Sequence, residues 1–330
     1  MDPNVSEGTL FMSPDVDAIR EFHARKTRRL ESKVMTAREA IAKFVHDGDY
    51  LAVGGFGANR TPVALLHEIV RQRKKNLGLA GHTATHDFQI LSAGDCFNRC
   101  DASYVVGLEA RGLSRVARQM FESGRIQAVE WSNAALAWRF RAAAMGVPFL
   151  PVRVMLGTDT MRYSAAKEIT CPFTGIKLAA LPALFPDVAV IHVQRCDVYG
   201  NAQIDGITVS DLDVARASKH VIISTERLIS NEEIRSHPDR TAIPYYCVDA
   251  VVVQRYGGYP GNVAYEYFSD EDHLREWLAA EETPETLAAF LEKYIYGVPD
   301  FDAYLQLKGG EARMAQLRAE EFLENRKEGV

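Results

Sequence analysis

No apolar run in this chain approaches the roughly 20 residues that carry a helix across a bilayer, so no membrane span is expected. The first ten residues, MDPNVSEGTL, lack a basic region followed by an apolar core, so no signal peptide is expected and a cytoplasmic location is. Cysteine is scarce and scattered. Cys96, Cys100, Cys171, Cys196 and Cys247 are odd in number and make no disulfide framework. Cys96 and Cys100 have no second Cys/His pair at finger-like spacing, so no metal site is expected. A basic excess is missing too. The net charge of -6 argues against a nucleic-acid partner, because phosphate binding needs a positive face. There is no GxSxG elbow for a hydrolase serine. No Gly-Lys-Ser/Thr follows a glycine turn, and no GxGxxG spacing occurs.

What is present is an ordinary globular composition, 330 residues with 47% hydrophobic and 25% charged. That is enough for a sizeable core without disulfides or metal. The most telling stretch is residues 47–62, DGDYLAVGGFGANRTP. An apolar strand, 50–53, ends in Gly54-Gly55-Phe56-Gly57, and an apolar-periodic helix follows over 63–73. Thr61 is expected as its N-cap, with Pro62 at the first helical position. Strand, glycine turn and helix in this order present backbone amides at a strand's carboxyl end, where open α/β sheets bind ligands. Taken alone, the glycine stretch is either a tight turn or a loop whose amides cradle a phosphate or a thioester oxygen.

Short strands then alternate with helices: strands over 76–80, 102–106, 126–129 and 149–155, with helices over 88–93, 113–123 and 134–145. After a polar, turn-rich stretch over 156–180, strands return at 187–194, 220–226 and 248–253. This rhythm predicts an open, mostly parallel sheet covered by helices, with a small insertion and a helical C-terminal tail. Residues 1–31 read as an extension with a basic helix, whose charges form either a solvated face or a contact to another chain. Residues 32–278 read as the α/β domain and 279–330 as a helical cap. Thr36 followed by Glu39 predicts a capping box.

The polar residues at the strand exits are the candidates for chemistry. His82, Thr83, Thr85, His86 and Asp87 follow the second strand as a binding group, a base, a metal pair or plain helix caps. Glu109 and Arg111 follow the third strand as an exposed ion pair or as a carboxylate that acts as nucleophile or base. Asn133 ends the fourth strand and either orients a carbonyl or caps the next helix. Arg153, inside the apolar VRV of the fifth strand, needs an acidic partner or an anionic substrate, because burying it alone is costly.

The motifs DGDYLAVGGFG with Pro62, GVPFLPV at 146–152, DVAVIH at 187–192, EEIR at 232–235 with Ile243-Pro244, and VDAVV at 248–252 occur in an order that resembles the α-type chain of family I CoA-transferases, the glutaconate CoA-transferase group above all. The resemblance spans 32–260. It departs from the family pattern in three places. Arg60-Thr61 stand before Pro62 where a glycine is common, His82-Thr83-Ala84-Thr85-His86 replace a glycine-rich loop, and 1–31 has no counterpart.

The resemblance implies a concrete activity. An α and a β chain of one fold associate, usually as α2β2, with active sites between unlike chains. A glutamate of the β chain attacks a CoA thioester and becomes a glutamyl-CoA thioester in a ping-pong exchange. No Ser-Glu-Asn-Gly motif of the kind that carries that glutamate occurs here, so the nucleophile is expected on the β chain. This chain is then expected to bind substrate through Gly54, Gly55, Phe56, Gly57, His82, Thr83, Thr85, Glu109, Asn133 and Arg153. Coenzyme A enters as a thioester substrate, with no tightly bound cofactor. The alternatives are a CoA-thioester hydrolase of the ring-opening type, which rests on Arg153 with Glu130 and Glu109, and a non-catalytic binding protein on the same fold.

Overall fold

The computed structural model describes residues 7–105 and 112–324. The apolar runs become strands β1 (Tyr50–Val53), β2 (Leu77–Gly81), β3 (Phe97–Ala102), β4 (Gln127–Glu130), β5 (Phe149–Val152), β6 (Lys167–Thr170), β7 (Lys177–Pro182), β8 (Val188–Cys196), β9 (Ala202–Gln203), β10 (His220–Leu228), β11 (Thr241–Ile243) and β12 (Ala250–Val253). The main sheet runs β4-β3-β2-β1-β8-β10-β12, every neighbouring pair parallel. The short β9 and β11 extend it antiparallel beyond the end of β8. The glycine stretch therefore leaves the middle strand, and the loops after β1, β2 and β4 leave the same edge.

Helices cover both faces. They are α1 (Val16–Arg25), α2 (Ala37–Phe44), α3 (Val63–Arg71), α4 (His86–Ala93), α5 (Arg115–Glu122), α6 (Asn133–Met145), α7 (Asp159–Tyr163), α8 (Asp211–Ala217), α9 (Asn231–Ser236), α10 (Glu271–Ala280), α11 (Pro284–Leu291), α12 (Phe301–Leu307) and α13 (Gly310–Glu321). Period-2 alternation divides each central strand between two cores. Leu51, Leu79, Val190 and Ile222 face α2–α5 and the C-terminal helices. Tyr50, Ala52, Ala80 and Ile191 face α1, α6 and α8. Helix α3 is buried from Val63 to Val70, because the sheet lies on one side and the C-terminal helices on the other. His67 of α3 meets Trp277, Phe301 and Tyr304 there. Covered all round, α3 buries His67 and Glu68 along with its apolar residues.

Several elements differ from the sequence pattern. The third strand is Phe97–Ala102, earlier than the apolar run 102–106 predicts. Polar Asn98 and Arg99 mask its alternation, and Arg99 reaches the carbonyls of Gly48 and Asn76. The strand at 149 does not join the parallel sheet. β5 pairs antiparallel with β7 in a separate sheet of order β5-β7-β6. Pro151, which has no N–H to give, suits the edge position that β5 takes. Arg153 is thus on the bend leaving β5 and exposed, so the burial argument for a compensating partner does not apply to it. The Thr36–Glu39 capping box forms as predicted.

The basic N-terminal helix is not simply a solvated face. Lys26 pairs with Asp249 at 2.7 Å, and Lys33 donates to the carbonyls of Tyr245 and Val248. Ahead of it, Glu7 and Gly8 donate backbone hydrogen bonds to Arg162 and Ser164. At the other end, α10 runs across the 278/279 position, joining the α/β layer to the cap without a break.

Candidate functional site

At the carboxyl edge of β1 the four amides of the glycine stretch are all engaged within the chain. Gly54 N–H donates to Val190 O at 2.9 Å, Phe56 N–H to Asn59 O at 3.0 Å and Gly57 N–H to Thr83 O at 3.1 Å. Gly55 N–H donates to Asp211 Oδ1 at 2.9 Å. The loop is therefore not an open amide cradle for a phosphate or thioester oxygen. Its contribution is shape, and glycine is required for it. A Cβ on Gly54 would stand 2.6 Å from Asp211 Oδ1, and one on Gly55, where φ is +88°, 2.7 Å from Asn59 O.

Arg60 explains how the loop is held. It is fully buried, with φ at +61°, a region that costs a non-glycine residue roughly 1–2 kcal/mol. Its guanidinium binds Asp211 through both nitrogens at 3.1 and 2.8 Å and donates to His192 O at 3.0 Å and Ile207 O at 2.7 Å. The same Asp211 carboxylate thus fixes Arg60 and the Gly55 amide. Thr61 is not the cap of α3. The N-cap is Pro62, and the Thr61 hydroxyl instead donates back to Gly57 O at 3.1 Å.

The loop after β2 closes against this turn. Gly57 and Ala84 form a parallel bridge, and the rings of Phe56 and His82 meet edge to face at 6.4 Å. Burial lowers the His82 pKa, opposed by a hydrogen bond to the Asn133 backbone and by the charge of Asp211. The ring is accordingly neutral at pH 7. Asn133 is the first residue of α6, and the cap is Ser132. Its side-chain oxygen lies 2.7 Å from Ser103 Oγ, which is also 2.9 Å from Gly81 O. The structure thus brings Gly54–Gly57, His82, Thr83, Thr85 and Asn133 to one edge. Arg153 stands apart on the small sheet, with no hydrogen bond or ion pair among the described residues. Glu109 and Arg111 lie outside the described residues.

Two hydroxyls in this loop are notable. Thr83 Oγ1 and Thr85 Oγ1 are buried and have no hydrogen-bond partner among the described residues. Leaving a buried hydroxyl unmet costs about 1–3 kcal/mol, which marks the place where a polar ligand group would be received. His82 and His86 do not form a metal pair. The described residues contain no group of His, Cys, Asp or Glu able to hold a metal ion, and His86 is buried with Nδ1 2.8 Å from Gln89 Oε1.

Asp87 holds the loop from below, accepting Thr85 N–H at 2.7 Å. Burial is the dominant influence and lifts its pKa to about 6, against hydrogen bonds that pull it down. A raised carboxylate pKa means that the folded state binds the proton more tightly than the unfolded chain. This stabilising contribution is complete below the unfolded value near 3.8 and is lost as pH rises through about 6. Asp87→Asn keeps an oxygen for Thr85 and removes the titration. It is expected to raise the thermal midpoint at pH 8 and to change it little at pH 4. An equal shift at both pH values would count against the assignment.

Sequence reasoning missed Asp211 and Ser103. Asp211 opens a short helix and looks like any first-turn acid, and only the anomaly of Arg60 before Pro62 hinted at a partner. Among the described residues no helix is long and apolar enough to cross a membrane.

Similarity to known proteins bears on this site. The coenzyme A transferase family model matches residues 34–254. An uncharacterised protein of Archaeoglobus fulgidus is 47% identical over 97% of this chain and 72% of its own length. The A subunit of glutaconate CoA-transferase from Acidaminococcus fermentans is 35% identical over 87% of this chain and 95% of its own. The crystal structure of that transferase superposes with a TM-score of 0.83 over the same shares. The A subunit of 3-oxoadipate CoA-transferase from Pseudomonas knackmussii is 32% identical over 83% of this chain and 97% of its own.

Proposed function

Because this chain belongs to the coenzyme A transferase family, we propose that it is the A-type half of an enzyme that moves CoA between an acyl-CoA and a carboxylic acid. The nucleophilic glutamate is carried by a partner B-type chain of the same fold. The relatives named as A subunits imply such a partner. Two chains of each kind in a cytoplasmic α2β2 assembly complete the reading. The observation that carries it is the loop after β2, which presents two buried, unmet hydroxyls, Thr83 and Thr85, beside a neutral His82. The glycine stretch next to them is saturated with its own hydrogen bonds.

That arrangement receives and orients a polar acyl group without attacking it. Among the described carboxylates at this edge, Asp211 is committed to Arg60 and Asp87 to the Thr85 amide, while Glu130 ends β4 exposed and is the one on which the hydrolase alternative rests. Phe56 and the glycine turn supply the wall, and His82 is a neutral hydrogen-bonding group. The covalent step falls to the partner's glutamate, which divides one hard acyl transfer into two easier ones.

The test is exchange by the assembled pair. The chain co-purified with its B-type partner should move CoA from an acyl-CoA to members of a panel of mono- and dicarboxylic acids. With no acceptor present, CoA should stay covalently on the partner, detected by mass. Thioester or ring cleavage with no acceptor acid would make the pair a hydrolase instead. A stable monomer without exchange or adduct would make the chain a binding protein.

A further inference from the structure

We infer that Glu281, contributed by the C-terminal end of α10, is a positioning residue for the acyl-CoA edge and not merely part of a helical cap. Its carboxylate is 4% exposed and has no cation beside it among the described residues. It accepts from Gln89 Nε2 at 2.5 Å, from Ser114 Oγ at 2.9 and 3.1 Å and from Val116 N–H at 3.2 Å. Burying an ionised carboxylate is costly unless it is fully hydrogen-bonded. Here neutral donors and the N-terminus of α5 satisfy it, the helix end favouring a negative charge. Ser114 is also the N-cap of α5, accepting from Ala117 N–H.

The far end of the relay reaches the site. Because Gln89 Nε2 donates to Glu281, Gln89 Oε1 is turned toward His86 Nδ1 at 2.8 Å, and that nitrogen must carry the proton. His86 is the first residue of α4, directly after Thr85. The carboxylate therefore sets the tautomer and the seat of His86. Through it, Glu281 fixes the end of the loop that carries the unmet Thr83 and Thr85 hydroxyls. It also anchors the start of α5, the helix that follows β3. Two elements of the same layer are thus tied to one buried charge from the last quarter of the chain. Misplacement of a reacting group by about 1 Å can cost on the order of a hundredfold in rate, so this tie is expected to appear in kcat.

The inference rests on the acyl-CoA reading of this edge, and its test separates the two. Glu281→Gln places an amide against the donors of Gln89, Ser114 and Val116, so either one donor pair clashes or the Gln89 amide turns over and reverses the His86 tautomer. Gln89→Glu sets two carboxylates face to face. The double variant Gln89→Glu/Glu281→Gln restores the order of donors and acceptors along the relay. The amide nitrogen introduced at position 281 then donates to the carboxylate introduced at position 89, and the amide oxygen accepts from Ser114 and Val116. In the assembled enzyme, Glu281→Gln is expected to lower kcat about tenfold with the KM for acyl-CoA within about twofold. The double variant is expected to recover to within about threefold of wild type. Amide exchange across residues 82–86, measured on the same samples, should rise in the single variant and fall back in the double. Full kcat and unchanged exchange in Glu281→Gln would overturn the inference, and so would a double variant no better than the single. If wild type itself shows no CoA exchange, the transferase reading fails, and amide exchange alone decides for or against Glu281.

Discussion

Asp211→Ala is expected to lower the unfolding free energy by about 3–5 kcal/mol and to abolish CoA exchange even where the chain remains folded. Asp211 and Arg60 are both fully inaccessible through their side chains. Two charges taken out of water hold each other only as a pair, and removing one leaves the other buried and uncompensated. Arg60 would lose two of the four hydrogen bonds that its guanidinium makes. Gly55 N–H would lose its acceptor at the same moment. The stability loss and the activity loss therefore come from one carboxylate but through different bonds. Arg60→Gly/Asp211→Ala tests this. It removes both charges and gives the φ of +61° at position 60 to a residue that adopts it freely. The double variant should be less destabilised than Asp211→Ala alone in urea unfolding, while exchange stays lost because the Gly55 amide remains unanchored. A single variant that loses less than about 1 kcal/mol would show that the pair contributes little.

The same pair illustrates what the amino-acid sequence makes legible. The strand–GGFG–helix unit is plain, because a four-residue apolar strand, a glycine turn and an apolar-periodic helix are local patterns. So is the parallel sheet, because near-continuous runs such as 187–194 and 220–226 suit only strands covered on both faces. Asp211 is invisible by comparison. Its role is defined by a contact with a residue 151 positions away, and nothing local separates it from Asp213 or any other acid in a first helical turn. The amides of Gly54, Gly55 and Gly57 are likewise a matter of long-range partners. Periodicity shows that a turn is present and cannot show that Val190, Asp211 and Thr83 already occupy it. Arg153 shows the converse failure. Its VRV setting reads as a buried strand, yet a proline and an antiparallel partner place it on the exposed exit of a small sheet. The His82–Thr85 loop lies between these cases. Its place at a strand exit is readable, and the two buried hydroxyls with no partner are known only once the packing is known.

Asp101→Leu is expected to be comparably severe, at about 3–5 kcal/mol, because Asp101 is the hub of the second core. It sits 1% exposed in β3. One oxygen accepts from Trp131 Nε1 at 2.5 Å and Arg139 Nη1 at 2.7 Å, and the other from the Tyr50 hydroxyl. Burial and the neighbouring carboxylate push the Tyr50 pKa well up, so that hydroxyl stays a donor across the working range. Arg139 lies over the Trp131 ring at 4.1 Å and donates to Pro182 O at 3.1 Å. One carboxylate therefore joins β1, β3, the start of α6 and the small antiparallel sheet. Leucine there would leave the Arg139 guanidinium, fully buried, without a counter-charge, would strand the indole donor, and would leave the phenol only its longer bond to Leu79 O at 3.3 Å. The paired variant Asp101→Leu/Arg139→Met should recover much of the loss, since replacing both members of a buried pair by apolar residues is often neutral. Trp131→Phe, which removes one hydrogen bond and weakens the cation–π contact, should cost only about 1–2 kcal/mol. Urea midpoints for the three variants rank these effects. If Asp101→Leu proved milder than Trp131→Phe, the carboxylate would not be what joins the layers. Because Trp131 lies two residues before Asn133, whose side chain meets Ser103 at this edge, the hub also fixes one wall of the site. The folded fraction of Asp101→Leu should therefore show weaker CoA exchange per molecule than Asp101→Leu/Arg139→Met.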